Sequence, residues 1–162
     1  MNTFRPTFLY IKQRQGPRDS RRSTHDLAND FFEEKFRLPY RNGLFVSGKE
    51  SIAREYGKYT AIIVPVGKFQ WLSSPDIPDL YKTFERFVSQ AWDKDPVYDD
   101  KSSGWQDRWA EEQTIKKLES ARWYHNEKLP KCVAGMNEVM LWCPSGFYTF
   151  TMINSPRILL QK

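Results

Sequence analysis

Glu138-Val139-Met140-Leu141-Trp142-Cys143 and Phe147-Tyr148-Thr149-Phe150-Thr151-Met152-Ile153, joined by Pro144-Ser145-Gly146, form the stretch on which the fold depends. Both runs are rich in β-branched, aromatic and large apolar residues, so both read as strands. The Pro-Ser-Gly between them predicts a hairpin. Glu138 alternates with Val139, Leu141 and Cys143, which places it on the face opposite an apolar row. At the other end of the chain, Thr7-Phe8-Leu9-Tyr10-Ile11 also reads as a strand. First and last strands then need partners within one sheet, so the pairing is expected to be non-local and partly antiparallel.

Helices fill the space between. Ser23 and Asp26 have capping-box spacing, and Leu27, Ala28, Phe31, Phe32 and Phe36 follow at helical spacing, which predicts a helix over 24–37. Asn42-Gly43 is a turn pair before a short strand at 44–46. Ser47 and Glu50 repeat the capping-box spacing and open a short helix that Gly57 is expected to close in the left-handed conformation. The run 59–66 is apolar enough to read as a central strand, and Gly67-Lys68 turns it into Phe69-Gln70-Trp71. Leu80, Phe84, Phe87, Val88 and Ala91 predict a helix over 78–92. A hydrophilic loop is expected at 93–104 and a further helix over 105–124. The class is α+β: a mixed, largely antiparallel split sheet with inserted helices, one domain over 1–162 with a helical insertion at about 78–126.

Composition narrows the function. With 162 residues, 40% hydrophobic and 28% charged, the chain is ordinary for a globular protein, and its 6 Trp, 8 Tyr and 11 Phe are too many for a disordered one. No apolar run is long enough to span a membrane and the N-terminus lacks a signal-peptide core, so a cytoplasmic location is expected. Two cysteines, Cys132 and Cys143, are too few for a disulfide framework. His25 and His125 have no zinc spacing with them, so no metal is expected. No Walker loop, Gly-x-Gly-x-x-Gly or nucleophile elbow occurs. Nine basic against five acidic residues in 1–41 hold most of the net charge of +5, a field that attracts phosphates.

Three segments carry chemistry. Gly43-Leu44-Phe45-Val46-Ser47 is followed by Ser51, Ala53 and Tyr56, Asn137-Glu138-Val139-Met140-Leu141 by Phe147-Tyr148-Thr149, and the first strand reads Phe8-Leu9-Tyr10-Ile11-Lys12. In this order they resemble the ADP-ribosyltransferase superfamily, its poly(ADP-ribose) polymerase-like branch in particular. The resemblance implies an ADP-ribosyltransferase-like fold in which the segment from Phe45 and Ser47 to Tyr56 walls the nicotinamide pocket. It makes Glu138 the catalytic carboxylate, placed at the ribose to stabilise an oxocarbenium-like state or activate the acceptor. It also makes Tyr10 part of the NAD-binding strand. Ile11 stands where relatives carry a His or Arg, so Lys12, Arg14 or Arg5 is expected to supply the cation for NAD. The implied activity is NAD-dependent mono-ADP-ribosyl transfer to a protein or nucleic-acid acceptor.

A rival reading rests on charge and aromatic content. A catalytically degenerate, basic binding or inhibitor protein, of a viral or toxin-system kind, would present Trp71, Trp105, Trp109 and Trp123 to a nucleic acid or protein.

Overall fold

The computed structural model describes residues 5–9, 21–57, 59–93, 104–135 and 137–151. In chain order these form β1 (Arg5–Leu9), α1 (Arg22–Phe36), a 3-10 turn (Tyr40–Asn42), β2 (Leu44–Ser47), α2 (Glu50–Arg54), β3 (Ala61–Pro65) and β4 (Gln70–Ser73). Then follow α3 (Leu80–Asp93), α4 (Trp105–Ser120), β5 (Tyr124–His125), α5 (Leu129–Ala134), β6 (Glu138–Trp142) and β7 (Phe147–Thr151). The strands make two sheets, ordered β1-β7-β3 and β2-β6-β4-β5, and every pairing is antiparallel. The α+β class and the non-local closure of the first strand on the last both hold, with Arg5 opposite Thr151 and Leu9 opposite Phe147.

The hairpin does not form. β6 is flanked by β2 and β4, and β7 by β1 and β3, so neither offers the other an edge. Residues 144–146 instead carry the chain from one sheet to the other. Gly146, at φ 88°, donates its N–H to the Cys143 carbonyl at 3.0 Å. A Cβ there would lie 2.8 Å from the Leu9 carbonyl oxygen and from the Phe8 ring, so the crossing turn is packed directly against β1.

The most apolar strand is also displaced from its expected place. β3 is at the edge of its sheet, and β7 takes the centre. Ile63 turns inward, whereas Ile62 and Val64 are 52% and 44% exposed. An unbroken apolar run identifies a strand without saying which neighbours it has.

Both capping boxes fail. Arg21 precedes α1 and Lys49 precedes α2, neither with a side-chain cap, and Ser47 Oγ instead accepts the N–H of Lys49 at 3.2 Å. Gly57 is not among the residues with positive φ, and Glu55 ends α2 in right-handed geometry. The helix expected to reach 124 stops at Ser120, because Asp76 accepts the Arg122 N–H at 2.8 Å together with its guanidinium. That clamp holds the chain extended, and β5 then pairs with β4.

Two apolar clusters flank the four-stranded sheet. On one face Leu72 and Met140 pack with Ala28 and Phe32 of α1, Leu80 and Phe84 of α3, and Leu118 of α4. The helices between β4 and β5 therefore share a core with α1. On the other face Val139, Leu141, Cys143 and Cys132 pack with Val46 and Ile63. No helix among the described residues is long and apolar enough to cross a membrane.

Candidate functional site

The β2–β6 register assembles the site. Ser47 is paired with Glu138 and Phe45 with Met140, while Val46 meets Val139 and Leu44 meets Leu141. Directly opposed residues in an antiparallel pair share a face. Phe45, Ser47 and Glu138 therefore lie on the α3 side, and the apolar row lies on the other. This is the alternation expected from the sequence of β6.

The start of β6 is fixed by the loop that enters α3. Glu138 donates its N–H to the Pro78 carbonyl at 2.8 Å, and its own carbonyl accepts from Ser73 Oγ at 2.9 Å. The Asn137 side chain donates to the Ser74 carbonyl at 2.6 Å. Glu138 is thereby aimed at the first turn of α3, where its Oε2 accepts the Leu80 N–H at 3.2 Å. A carboxylate there also meets the positive end of the helix dipole. Oε1 is buried, accepts no hydrogen bond among the described residues, and lies 3.7 Å from Nη1 of Arg41.

This is a desolvated ion pair: the side chains of Arg41 and Glu138 are 7% and 17% exposed. Burial pushes the Glu138 carboxyl up to about 7, with Asp79 pushing the same way, while Arg41 and the Leu80 N–H oppose them. Such a group can hold or release a proton near neutrality.

Arg41 was legible in the sequence only as one of several basic residues before Gly43. Its burial could not be read there, because arginines are mostly exposed. Asn29 Oδ1 accepts the Arg41 backbone N–H at 2.8 Å. The Asn29 amide donates to Asn42 Oδ1 at 3.0 Å, and Nε2 of the buried His25 lies 3.1 Å from that same oxygen. The Arg41 guanidinium lies over the Phe45 ring at 4.7 Å and within 5.9 Å of the Phe84 ring centre.

Tyr56 reaches the same end of α3. Its hydroxyl donates to Asp79, and Asp79 Oδ1 accepts the Lys82 N–H at 2.9 Å, capping the helix. Tyr56 and Glu138 thus meet at one helix terminus, while Ser47 lies across from Glu138 on β2 and Phe45 under the Arg41 guanidinium. Arg41 and Asp79 are members the sequence did not single out. Tyr10, Lys12 and Arg14 lie outside the described residues.

A cavity of about 600 Å³ lies against the opposite face of the sheet. Val139 and Leu141 form its floor, β3 and α2 its sides, and its lining reaches Phe45 and Ser47 along the edge strand β2. Glu138 does not line it.

The tryptophans divide. Trp123 packs in the core 5.1 Å from the Phe32 ring and donates its indole N–H to the Leu118 carbonyl at 3.0 Å. Trp71 is half-buried against Phe69, whereas Trp105 is exposed. Cys132 and Cys143 are buried free thiols, pushed up by burial. Among the described residues no group of three His, Cys, Asp or Glu side chains could hold a metal ion. No protein-family model, curated protein or solved structure matches the chain.

Proposed function

We propose that this protein is a divergent ADP-ribosyltransferase-like protein that uses NAD as substrate, with Glu138 as its reacting carboxylate. The observation that carries the reading is the state of that carboxylate. One oxygen is held by the α3 N-terminus, while the other is buried beside a cation without accepting a hydrogen bond among the described residues. A ribose hydroxyl is a donor that would suit it.

In the reaction the bond between the nicotinamide nitrogen and the ribose carbon breaks, and its electron pair leaves with neutral nicotinamide. The carboxylate stabilises the cationic ribose. An acceptor hydroxyl or amine then bonds to that carbon and gives its proton to Glu138, whose affinity near neutrality suits the role.

A second reading has its own observation. The cavity and the Glu138 carboxylate lie on opposite faces of one sheet, and a ligand seated in the cavity would not touch the carboxylate. That arrangement favours a catalytically degenerate protein that binds a nucleic acid or another protein.

One experiment separates them. Nicotinamide release and transfer of labelled ADP-ribose are followed for the wild type and Glu138→Gln, beside thermal-shift titrations with NAD and with oligonucleotides. Release by the wild type that is lost in Glu138→Gln supports the transferase. An oligonucleotide shift with neither release nor an NAD shift supports the second reading.

A further inference from the structure

We propose that Arg41 is a positioning residue for Glu138, favouring its charged form against the effect of burial and fixing its carboxylate beside the first turn of α3. The pairing is a property of the fold, and its effect on turnover rests on the reading of Glu138 as the reacting group.

Arg41 is held from α1, β2 and β6. Its backbone is held by Asn29 of α1. The 3-10 turn that carries it lies directly on β6: a Cβ at Gly43 would collide with the Leu141 carbonyl, so only glycine lets the turn approach this closely. Its guanidinium lies over the Phe45 ring at 4.7 Å, and Nη1 faces Glu138 Oε1 at 3.7 Å. With both side chains nearly removed from water, the interaction is weakly screened and either charge alone would be costly.

Among the described residues, Asp79 and Ser47 also face Glu138. Asp79, at the start of α3, is a like charge that disfavours the carboxylate. It is itself occupied by the Tyr56 hydroxyl and the Lys82 N–H, and the Lys82 ammonium pairs with Glu55 at 2.5 Å. Ser47, across from Glu138 on β2, carries no charge. Arg41 is the described cation paired with the carboxylate.

The test is direct titration of Glu138 by NMR in protein labelled with ¹³C at the glutamate carboxyl, the resonance being identified by its loss in Glu138→Gln. In Arg41→Met the proton affinity of Glu138 should rise about tenfold or more, with Arg41→Lys in between. A midpoint in Arg41→Met equal to that of the wild type overturns the proposal. Should Arg41→Met not fold, the wild type still decides. The Arg41 Nε–H resonance should follow the Glu138 midpoint and be flat over that range in Glu138→Gln, and a flat response in the wild type overturns the proposal.

Turnover with NAD on the same samples keeps the two claims apart. An active wild type whose acid limb in the pH profile moves with the Glu138 midpoint in Arg41→Lys supports both. A shifted midpoint without wild-type turnover supports the pairing and removes the transferase reading. Turnover with an unshifted midpoint overturns the role of Arg41 alone.

Discussion

Asn29 accepts the backbone N–H of Arg41 through its side-chain oxygen at 2.8 Å, so the first helix holds the residue that faces Glu138 on the sheet. Both residues are buried, and the Asn29 amide is also bonded to Asn42. Replacing Asn29 with Ala leaves a buried N–H without its acceptor, a loss of about 1–3 kcal/mol. Urea unfolding of Asn29→Ala should show it, while Asp30→Ala, on the exposed side of the same helix, should stay within about 0.5 kcal/mol of wild type. Equal stability of the two variants would break the proposed link from α1 to the site.

Glu138 should make stability fall as pH rises. Its carboxyl sits at about 7 in the fold against an ordinary 4.5, so between those values the native chain keeps a proton that the unfolded chain has released. The native state is then favoured least above the upper value and loses on the order of 3 kcal/mol from this group across the window. Glu138→Gln cannot ionise, so unfolding at about pH 4.5 and about pH 7.5 should show the variant gaining on wild type at the higher pH. A gain at the lower pH instead would mean that the Arg41 attraction outweighs desolvation.

Tyr40 is fully buried, and its hydroxyl finds no hydrogen-bond partner among the described residues. Burial also pushes the phenol well above its ordinary range, which keeps it neutral. Tyr40→Phe removes the unpaired group while keeping the ring edge-on to Phe32. Thermal unfolding should show the variant equal to wild type or more stable by up to about 1 kcal/mol. A clear loss of stability would reveal a partner for the hydroxyl.

Gly48 follows β2 where α5 crosses it, and a Cβ there would collide with the Val133 carbonyl. Gly48→Ala must push α5 off the loop and open one wall of the cavity, at a cost of about 1–3 kcal/mol. Gly57→Ala is the control, since its Cβ would meet only the Tyr59 carbonyl oxygen at 3.6 Å. Denaturation midpoints that move equally in the two variants would contradict the close packing of α5.

The strands at both ends of the chain, the helix that became α1 and the side of β6 carrying Glu138 were readable from the sequence. Each depends on local periodicity, which the residues themselves carry. The capping boxes were misread because spacing alone does not put a Ser at the helix boundary, and Lys49 rather than Ser47 precedes α2. The short β5 and α5 escaped notice because two and six residues are too few for a period to show.

Sequence by itself determined which face of its strand Glu138 occupies, because alternation along a strand is a property of covalent geometry. Only the tertiary structure decided what it meets there. The same Pro144-Ser145-Gly146 turn that suits a hairpin carries the chain to a second sheet, since β6 already has β2 and β4 on its edges. Arg41 acquires its role from elements remote in the chain: Asn29 on α1, Phe45 on β2 and Glu138 on β6. Strand order and burial depend on the simultaneous packing of all these elements, and a local pattern holds no record of it.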